Sequence, residues 1–174
     1  NILGGDNLGQ LGHNSADYLH LVLEAIAIAF ADRTAYLADP AAVPDQTLRR
    51  LISSDYARHR RRDIRSDRIG AHGPGRIGPE HARGALSPSA PSGSGDTVYL
   101  AAADESGNMV SLIQSLYAGF GAGIVAGDTG IVLHNRGSLF ATDPAHPNHL
   151  APHKRPLHTL APAMAFRAGR PWLA

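Results

Sequence analysis

The sequence predicts a mixed α/β chain with helices first and antiparallel strands second. Three observations carry that expectation. Tyr18 to Leu37 contains no Gly or Pro, Gly70 to Gly95 is dominated by Gly, Pro, Ser and Ala, and beyond that break the apolar spacing shortens to two residues. At 174 residues the chain suits one ordinary domain or a piece of one.

Taken in order, the first helix is expected over 15–38. Asn14 or Ser15 can cap it, Asp17 complements the dipole in its first turn, and Asp39-Pro40 stops it. Its apolar residues, from Leu19 to Phe30, cover nearly the whole circumference, which predicts packing on more than one side. Val43-Pro44-Asp45 opens two shorter helices, Gln46 to Ile52 and Ser53 to Arg65. The basic run "RHRRRDIRSDR" in and after the second is interleaved with Asp63 and Asp67 and lacks aromatic neighbours, so it reads as a solvated helix end, not a nucleic-acid patch. "GAHGPGRIGPEHARGALSPSAPSGSG" cannot bury enough apolar surface to order itself and reads as a linker or mobile loop from about residue 70. Strands are then expected over Thr97 to Ala103, Met109 to Ser115 and Ile131 to Leu133. A last hairpin runs from Ala163–Phe166 through "RAGRP" to Trp172-Leu173.

The composition narrows the function classes. A net charge of +1, with 18% charged and 6% aromatic residues, gives no global footprint for nucleic acid or an anionic membrane. The longest apolar stretch, Leu21 to Phe30 interrupted by Glu24, is too short to span a bilayer. The absence of cysteine excludes disulfides, thiolate metal sites and a cysteine nucleophile. The stretch as it stands opens without Met, basic region or apolar core and ends on "RPWLA" inside an apolar run, so no signal peptide is expected within it and both ends look cut, as in a piece of a longer protein.

The sharpest feature is "SGSGDTVYLAAADESGN". The short loop at Asp104 to Asn108 makes the two flanking strands a hairpin and places Thr97 opposite Gln114 or Ser115. A threonine hydroxyl is a poor nucleophile at neutral pH. If the chain were cut between Asp96 and Thr97, the freed α-amine, with a pKa of about 8, would sit on the same residue as a general base. The preceding Gly and Ser residues tolerate the backbone strain that attack of the hydroxyl on the preceding carbonyl requires.

"GDTVYLAAADESGNMVSLIQS", "GFGAGIVAGDTGIVLHNRGSLF" and "HKRPLHTLAPAMAF" together resemble the γ-glutamyltranspeptidase family of N-terminal-nucleophile hydrolases. "LGHNSADYLHLVLEAIAIAFADRTAYLADP" resembles the end of that family's large chain. The resemblance implies an αββα four-layer sandwich and a precursor that cleaves itself, with 1–96 the C-terminal part of the large chain and 97–174 the N-terminal part of the small, catalytic one. It implies Thr97 as nucleophile, Ser115 as the supporting hydroxyl, and a γ-glutamyl amide such as glutathione as substrate, with water or an amino acid as acceptor. No cofactor or metal is implied. Tyr117, Arg136 and Leu139 fall where the family holds the substrate's α-amino and α-carboxylate groups, and His158 and Thr159 where many members have paired serines. Leu139 has no acceptor for an ammonium group, whereas Arg136 can hold a carboxylate as a fork. The "NRGSLF" and "RPLHT" versions are similar to the branch near glutaryl-type cephalosporin acylases, so that substrate class stays open beside the γ-glutamyl one. The family's oxyanion glycines and a carboxylate-binding arginine are expected outside this stretch, which alone should then be inactive.

Rival readings are weaker. Gly121 to Ala126 matches G-x-G-x-x-A, but Gly127-Asp128-Thr129-Gly130 breaks the chain where a Rossmann helix must follow. His146, His149 and His153 have zinc-like spacing, but Pro147 and Pro152 forbid a regular helix there and no carboxylate joins them. A non-enzymatic binding or structural module with an uncut linker is the remaining alternative.

Overall fold

The structure, a computed structural model, describes residues 1–77 and 97–174. The described residues form two compact units, one holding 1–77 with 140–155, the other 97–139 with 156–174.

The first unit is helical. Helix α1 (Ala16–Tyr36) starts at Ser15, whose hydroxyl accepts from the Tyr18 N–H at 3.2 Å, with Asp17 in the first turn. Asp39 caps the short 3₁₀ turn Pro40–Ala42, and helices α2 (Asp45–Leu51) and α3 (Ser54–Arg61) follow, the latter capped by the Ser53 hydroxyl. The buried residues of α1 are Glu24, Ala25, Ile28, Asp32 and Tyr36, which form one stripe at helical spacing. Ile28 and Ala25 pack with Ile64, flanked by Ile2, Leu3 and Leu21. Leu19, Leu23, Ile26 and Phe30 remain exposed, so within this chain α1 buries one face and not the several that its composition predicts.

The two acids on that face hold the chain that follows α3. Glu24 accepts from the Gly70 N–H at 3.0 Å and pairs with His72 at 2.8 Å. Asp32 accepts from the Gly75 N–H at 2.7 Å and pairs with Arg60 at 3.4 Å. The Tyr36 hydroxyl donates to the Gly75 carbonyl, and Arg60 donates to the Gly73 carbonyl at 2.7 Å. A Cβ at Gly75 would lie 2.2 Å from the Tyr56 hydroxyl, so only glycine lets the backbone come this close. Residues 70–75, expected to be linker, are thus held by buried polar groups that need partners. The rest of the expected linker, 78–96, lies outside the described residues. The basic run is solvated as expected at Arg58, His59, Arg62, Arg65 and Arg68, but Arg60 is buried, and Arg61 forms a fork on Asp6 with both bonds at 2.7 Å.

The second unit is built on two hairpins. Strands β1 (Thr97–Ala103) and β2 (Met109–Ser115) pair antiparallel, with Thr97 opposite Ser115 and Ala103 opposite Met109. Asp104 fixes the turn by accepting from both the backbone and the side chain of Asn108, at 2.9 and 2.7 Å, while Gly107 takes φ +84. The expected third strand at 131–133 is instead the return arm of a loop. Ala126 donates to Ile131 at 2.9 Å and Leu133 to Ile124 at 2.9 Å around a single bridge, Val125 to Val132. The final hairpin forms as expected, from β3 (Ala165–Arg167) and β4 (Arg170–Leu173).

Candidate active site

The register of the first hairpin decides which side chains meet. Alternation puts Thr97, Tyr99, Ser111, Ile113 and Ser115 on one face, and Val98, Leu100, Leu112 and Gln114 on the other. A slip of one residue would move Ser115 away from Thr97 to the opposite face. In the observed register the Thr97 hydroxyl donates to Ser115 Oγ at 3.0 Å. This resolves the choice between Gln114 and Ser115 in favour of Ser115.

Ser115 Oγ also accepts from the Tyr117 N–H at 2.9 Å. Its rotamer is therefore held from the backbone side. Tyr117 reaches that position at φ +80, a left-handed conformation that is costly for a bulky residue by roughly 1–3 kcal/mol and is retained only where the surroundings enforce it. What enforces it is Asn135. Its side chain accepts from the Ala118 N–H at 3.1 Å and donates to the carbonyls of Ala118 and Gly121, at 3.0 and 3.1 Å. Gly121, at φ +64, admits no side chain, since a Cβ would lie 2.4 Å from the Leu133 carbonyl oxygen. The G-x-G-x-x-A run is thus a tight loop leading into the 3₁₀ turn Gly127–Thr129, with no helix behind it.

Arg136 opens the 3₁₀ turn Arg136–Leu139 and is only 2% exposed. One guanidinium nitrogen donates to the Ser115 carbonyl at 3.2 Å and the other to the Thr159 hydroxyl at 3.4 Å, while the cation lies 5.4 Å from the centre of the Tyr117 ring. Its Nε is buried without a partner, and no carboxylate among the described residues forms an ion pair with it. Burial pulls its pKa below the ordinary value, and the neighbouring Tyr117 acts in the opposite sense. A buried cation without a counter-charge is an open electrostatic demand for an anion.

The structure therefore brings Thr97, Ser115, Tyr117, Arg136 and Thr159 into one linked set. Leu139 sits in the same turn as Arg136, half-buried, with an aliphatic side chain. His158 does not join them: it is exposed and its ring meets the backbone of its own neighbour, with Nδ1 accepting from the Leu160 N–H at 3.2 Å. Asp96, the residue before the expected cut, lies outside the described residues. Asn135 was not singled out in the sequence. An Asn next to Arg136 in a glycine-rich loop is the signal that points to it, because its amide can stand in for a missing backbone partner. Among the described residues no group of three or more His, Cys, Asp or Glu is placed to hold a metal ion, and no helix is long and apolar enough to cross a membrane. His146 is buried against the Thr34 carbonyl at 3.1 Å.

Comparison with known proteins identifies the family. The family model described as gamma-glutamyltranspeptidase matches residues 1–174. The glutathione hydrolase-like YwrD proenzyme of Bacillus subtilis (strain 168) is 43% identical over 171 residues, covering 98% of this chain and 29% of that protein. The acylase ACY 1 proenzyme of Pseudomonas sp. (strain SE83) is 37% identical over 170 residues, covering 98% and 28%. The glutathione hydrolase proenzyme of Escherichia coli (strain K12) is 34% identical over 188 residues, covering 99% and 30%. Among solved structures, a cephalosporin acylase from Bacillus halodurans superposes with a TM-score of 0.73 at 35% identity, covering 92% of this chain and 26% of that one. The chain thus spans less than a third of the length of these relatives. It belongs to the γ-glutamyltranspeptidase family and carries part of the α/β fold of the N-terminal-nucleophile hydrolases.

Proposed function

We propose that this chain spans the scission point of a self-cleaving amide hydrolase or acyltransferase, with residues 1–96 ending the large chain and 97–174 starting the small one. The observation that carries the reading is the 3.0 Å bond between the hydroxyls of Thr97 and Ser115, at the first residue of β1 in a member of this family. In the first step Thr97 Oγ attacks the Asp96 carbonyl, the C–N bond breaks, and water hydrolyses the resulting ester. That leaves the Asp96 carboxylate and a free Thr97 amine.

The free amine then takes the hydroxyl proton as Thr97 Oγ attacks the substrate amide, and passes it to the departing amine. The acyl-Thr97 ester is released to water or to an amino-acid amine. Ser115 holds the Thr97 oxygen in place, and the Tyr117 N–H and the Arg136 contact to the Ser115 carbonyl hold Ser115. Turnover draws its nucleophile and its base from one residue, whereas in the first step the Thr97 nitrogen is still acylated and takes up the hydroxyl proton only as the C–N bond breaks.

The substrate read from the family is a γ-glutamyl amide such as glutathione. A second reading, a glutaryl-type acyl group, is favoured by one observation: Arg136 is buried with no carboxylate partner among the described residues, and the Leu139 side chain beside it has no acceptor for an α-ammonium group. An uncompensated guanidinium repels a nearby ammonium and attracts a terminal carboxylate. Thr159, which accepts from Arg136 at 3.4 Å, would share that carboxylate.

Intact-mass measurement on the full-length parent protein tests the core of the reading. Two chains are expected, the smaller beginning at Thr97, and Thr97→Ala should stay uncut and lose turnover. A parent that never cleaves, or a Thr97→Ala variant that still does, would overturn it. Rates on γ-glutamyl-anilide against glutaryl-anilide then separate the two substrate classes.

A further inference from the structure

Residues 140–155 follow Thr97 in the sequence, yet they pack in the helical unit with 1–77. They meet it at the C-terminal end of α1. There Arg155 surrounds Asp39 with three donors: its backbone N–H at 2.8 Å, Nε at 3.3 Å and Nη2 at 3.1 Å. The Asp39 side chain is 6% exposed and also accepts from the Ala41 N–H at 3.1 Å. The second point is His146, whose Nε2 lies 3.1 Å from the Thr34 carbonyl. Because its Nδ1 accepts from the Asn148 N–H at 3.0 Å, the ring hydrogen of neutral His146 resides on Nε2 and is donated to Thr34. Thr34 is in the last turn of α1, where carbonyls have no partner within the helix and favour a donor.

The segment is also closed on itself. Ala141 donates to the Asn148 carbonyl at 2.8 Å, Leu150 donates to the Ala141 carbonyl at 3.0 Å, and Lys154 donates to the Pro147 carbonyl. A segment already folded loses little further freedom when it binds.

From these contacts we propose that residues 140–155 form a clasp by which the small chain stays bound to the large one after cleavage, with the Asp39–Arg155 pair as its main fastening. The proposal rests on the reading that the chain is cut before Thr97. While the chain is whole, the covalent link keeps both parts at high effective concentration whatever contacts they make. Once it is cut, non-covalent contacts alone oppose separation, and these are contacts between residues on opposite sides of the cut. Arg155 holds the Asp39 carboxyl far below the usual carboxylate range, so the pair stays charged across the physiological pH range.

The test uses the full-length parent protein after cleavage. Separation of the two chains is followed by native mass spectrometry and size exclusion in rising urea, for the parent sequence, Arg155→Gln, Asp39→Asn and His146→Ala. Arg155 is 74% exposed, so its replacement leaves the rest of the unit packed. Arg155→Gln and Asp39→Asn are expected to weaken chain association at least about tenfold, seen as chains that part at lower urea than the parent's. The same substitutions in an uncut Thr97→Ala background should leave a single particle throughout. Cleaved variants whose chains stay together to the same urea concentration as the parent's would overturn the clasp and leave the cleavage reading intact. A parent that shows one uncut chain on a denaturing gel would overturn the cleavage reading and the clasp with it.

Discussion

The two units solve opposite problems. The helical unit gives its buried carboxylates partners, Glu24 with His72, Asp32 with Arg60 and Gly75, Asp39 with Arg155, although Arg33 Nε is buried there without a hydrogen bond. The hairpin unit leaves Val98, Leu100, Val110 and Leu112 exposed on one face of β1 and β2, aligns two hydroxyls on the other, and buries Arg136 without an ion-pair partner among the described residues. Satisfied buried polar groups fix a structure, whereas an unsatisfied one stores affinity for something that arrives later. On the proposed reading the difference separates a region that holds from one that carries the chemistry, and substitutions should separate them in the same way.

The largest stability effect is expected at Asp32. Removing it as Asp32→Ala takes the acceptor of the buried Gly75 N–H and one of the two carboxylates of Arg60, which keeps Asp63 at 2.7 Å, a change that should cost on the order of 2–3 kcal/mol. Urea unfolding of the full-length parent protein should show a loss of that size, if the parent folds at all. Asp32→Asn, which keeps one acceptor for the Gly75 N–H, should lose less. An unchanged midpoint in both would break the claim that the helical unit depends on its buried charges.

At the hairpin the readout should invert. Ser115→Ala removes the acceptor of the Thr97 hydroxyl and of the Tyr117 N–H, and should slow cleavage and turnover by on the order of 10²-fold. The unfolding midpoint should stay near the parent's, and Ser115→Thr should restore most of the rate. If Ser115→Ala instead unfolds the protein with its remaining activity intact, the hydroxyl pair is structural.

Arg136→Gln sharpens the comparison on the substrate side. A charge-assisted bond is worth roughly 1.5–3 kcal/mol, so kcat/KM on glutaryl-anilide should fall about 10- to 150-fold. The fall should sit mostly in KM, with a smaller effect on γ-glutamyl-anilide. Equal losses in kcat on both substrates would assign Arg136 to holding the Ser115 carbonyl and not to choosing the acyl group.

How far these differences were legible in the sequence depends on range. The Asp104 to Asn108 loop length limits the register to two choices, and Ser15 with Asp39-Pro40 bounds the first helix, because turns and caps are local. The buried face of α1 was not legible. Its apolar residues lie all round, and the face is chosen by Glu24 and Asp32, whose partners His72 and Gly75 lie more than forty residues away. For the same reason 70–75 read as linker although it is held. The 131–133 segment has strand-like residues, but it finds its partner in its own preceding loop. Thr97 and Ser115 emerge from register, while Tyr117, Arg136, Leu139, His158 and Thr159 were reached only through resemblance, and of these His158 faces its own backbone.

The smallest expected effect concerns acid. Hydrogen bonds from the Asn108 side chain and then its backbone hold the Asp104 carboxyl below its ordinary pKa, as Arg155 does for Asp39. A carboxylate whose folded-state pKa is depressed stabilises the fold at pH values above its unfolded pKa of about 4 and loses that contribution as pH falls through the folded value. The contribution of these two carboxyls should therefore stay constant from neutrality down to about 4 and be lost only below it. The two carboxyls differ in what their protonation disrupts. Protonated Asp104 loosens the turn that sets the Thr97 to Ser115 register, whereas protonated Asp39 releases Arg155 from the helical unit. Asp104→Asn should then flatten the acid loss of hairpin stability and leave the acid separation of the cleaved chains unchanged, and Asp39→Asn should do the reverse. Identical acid profiles for the two variants would mean that the units do not respond separately.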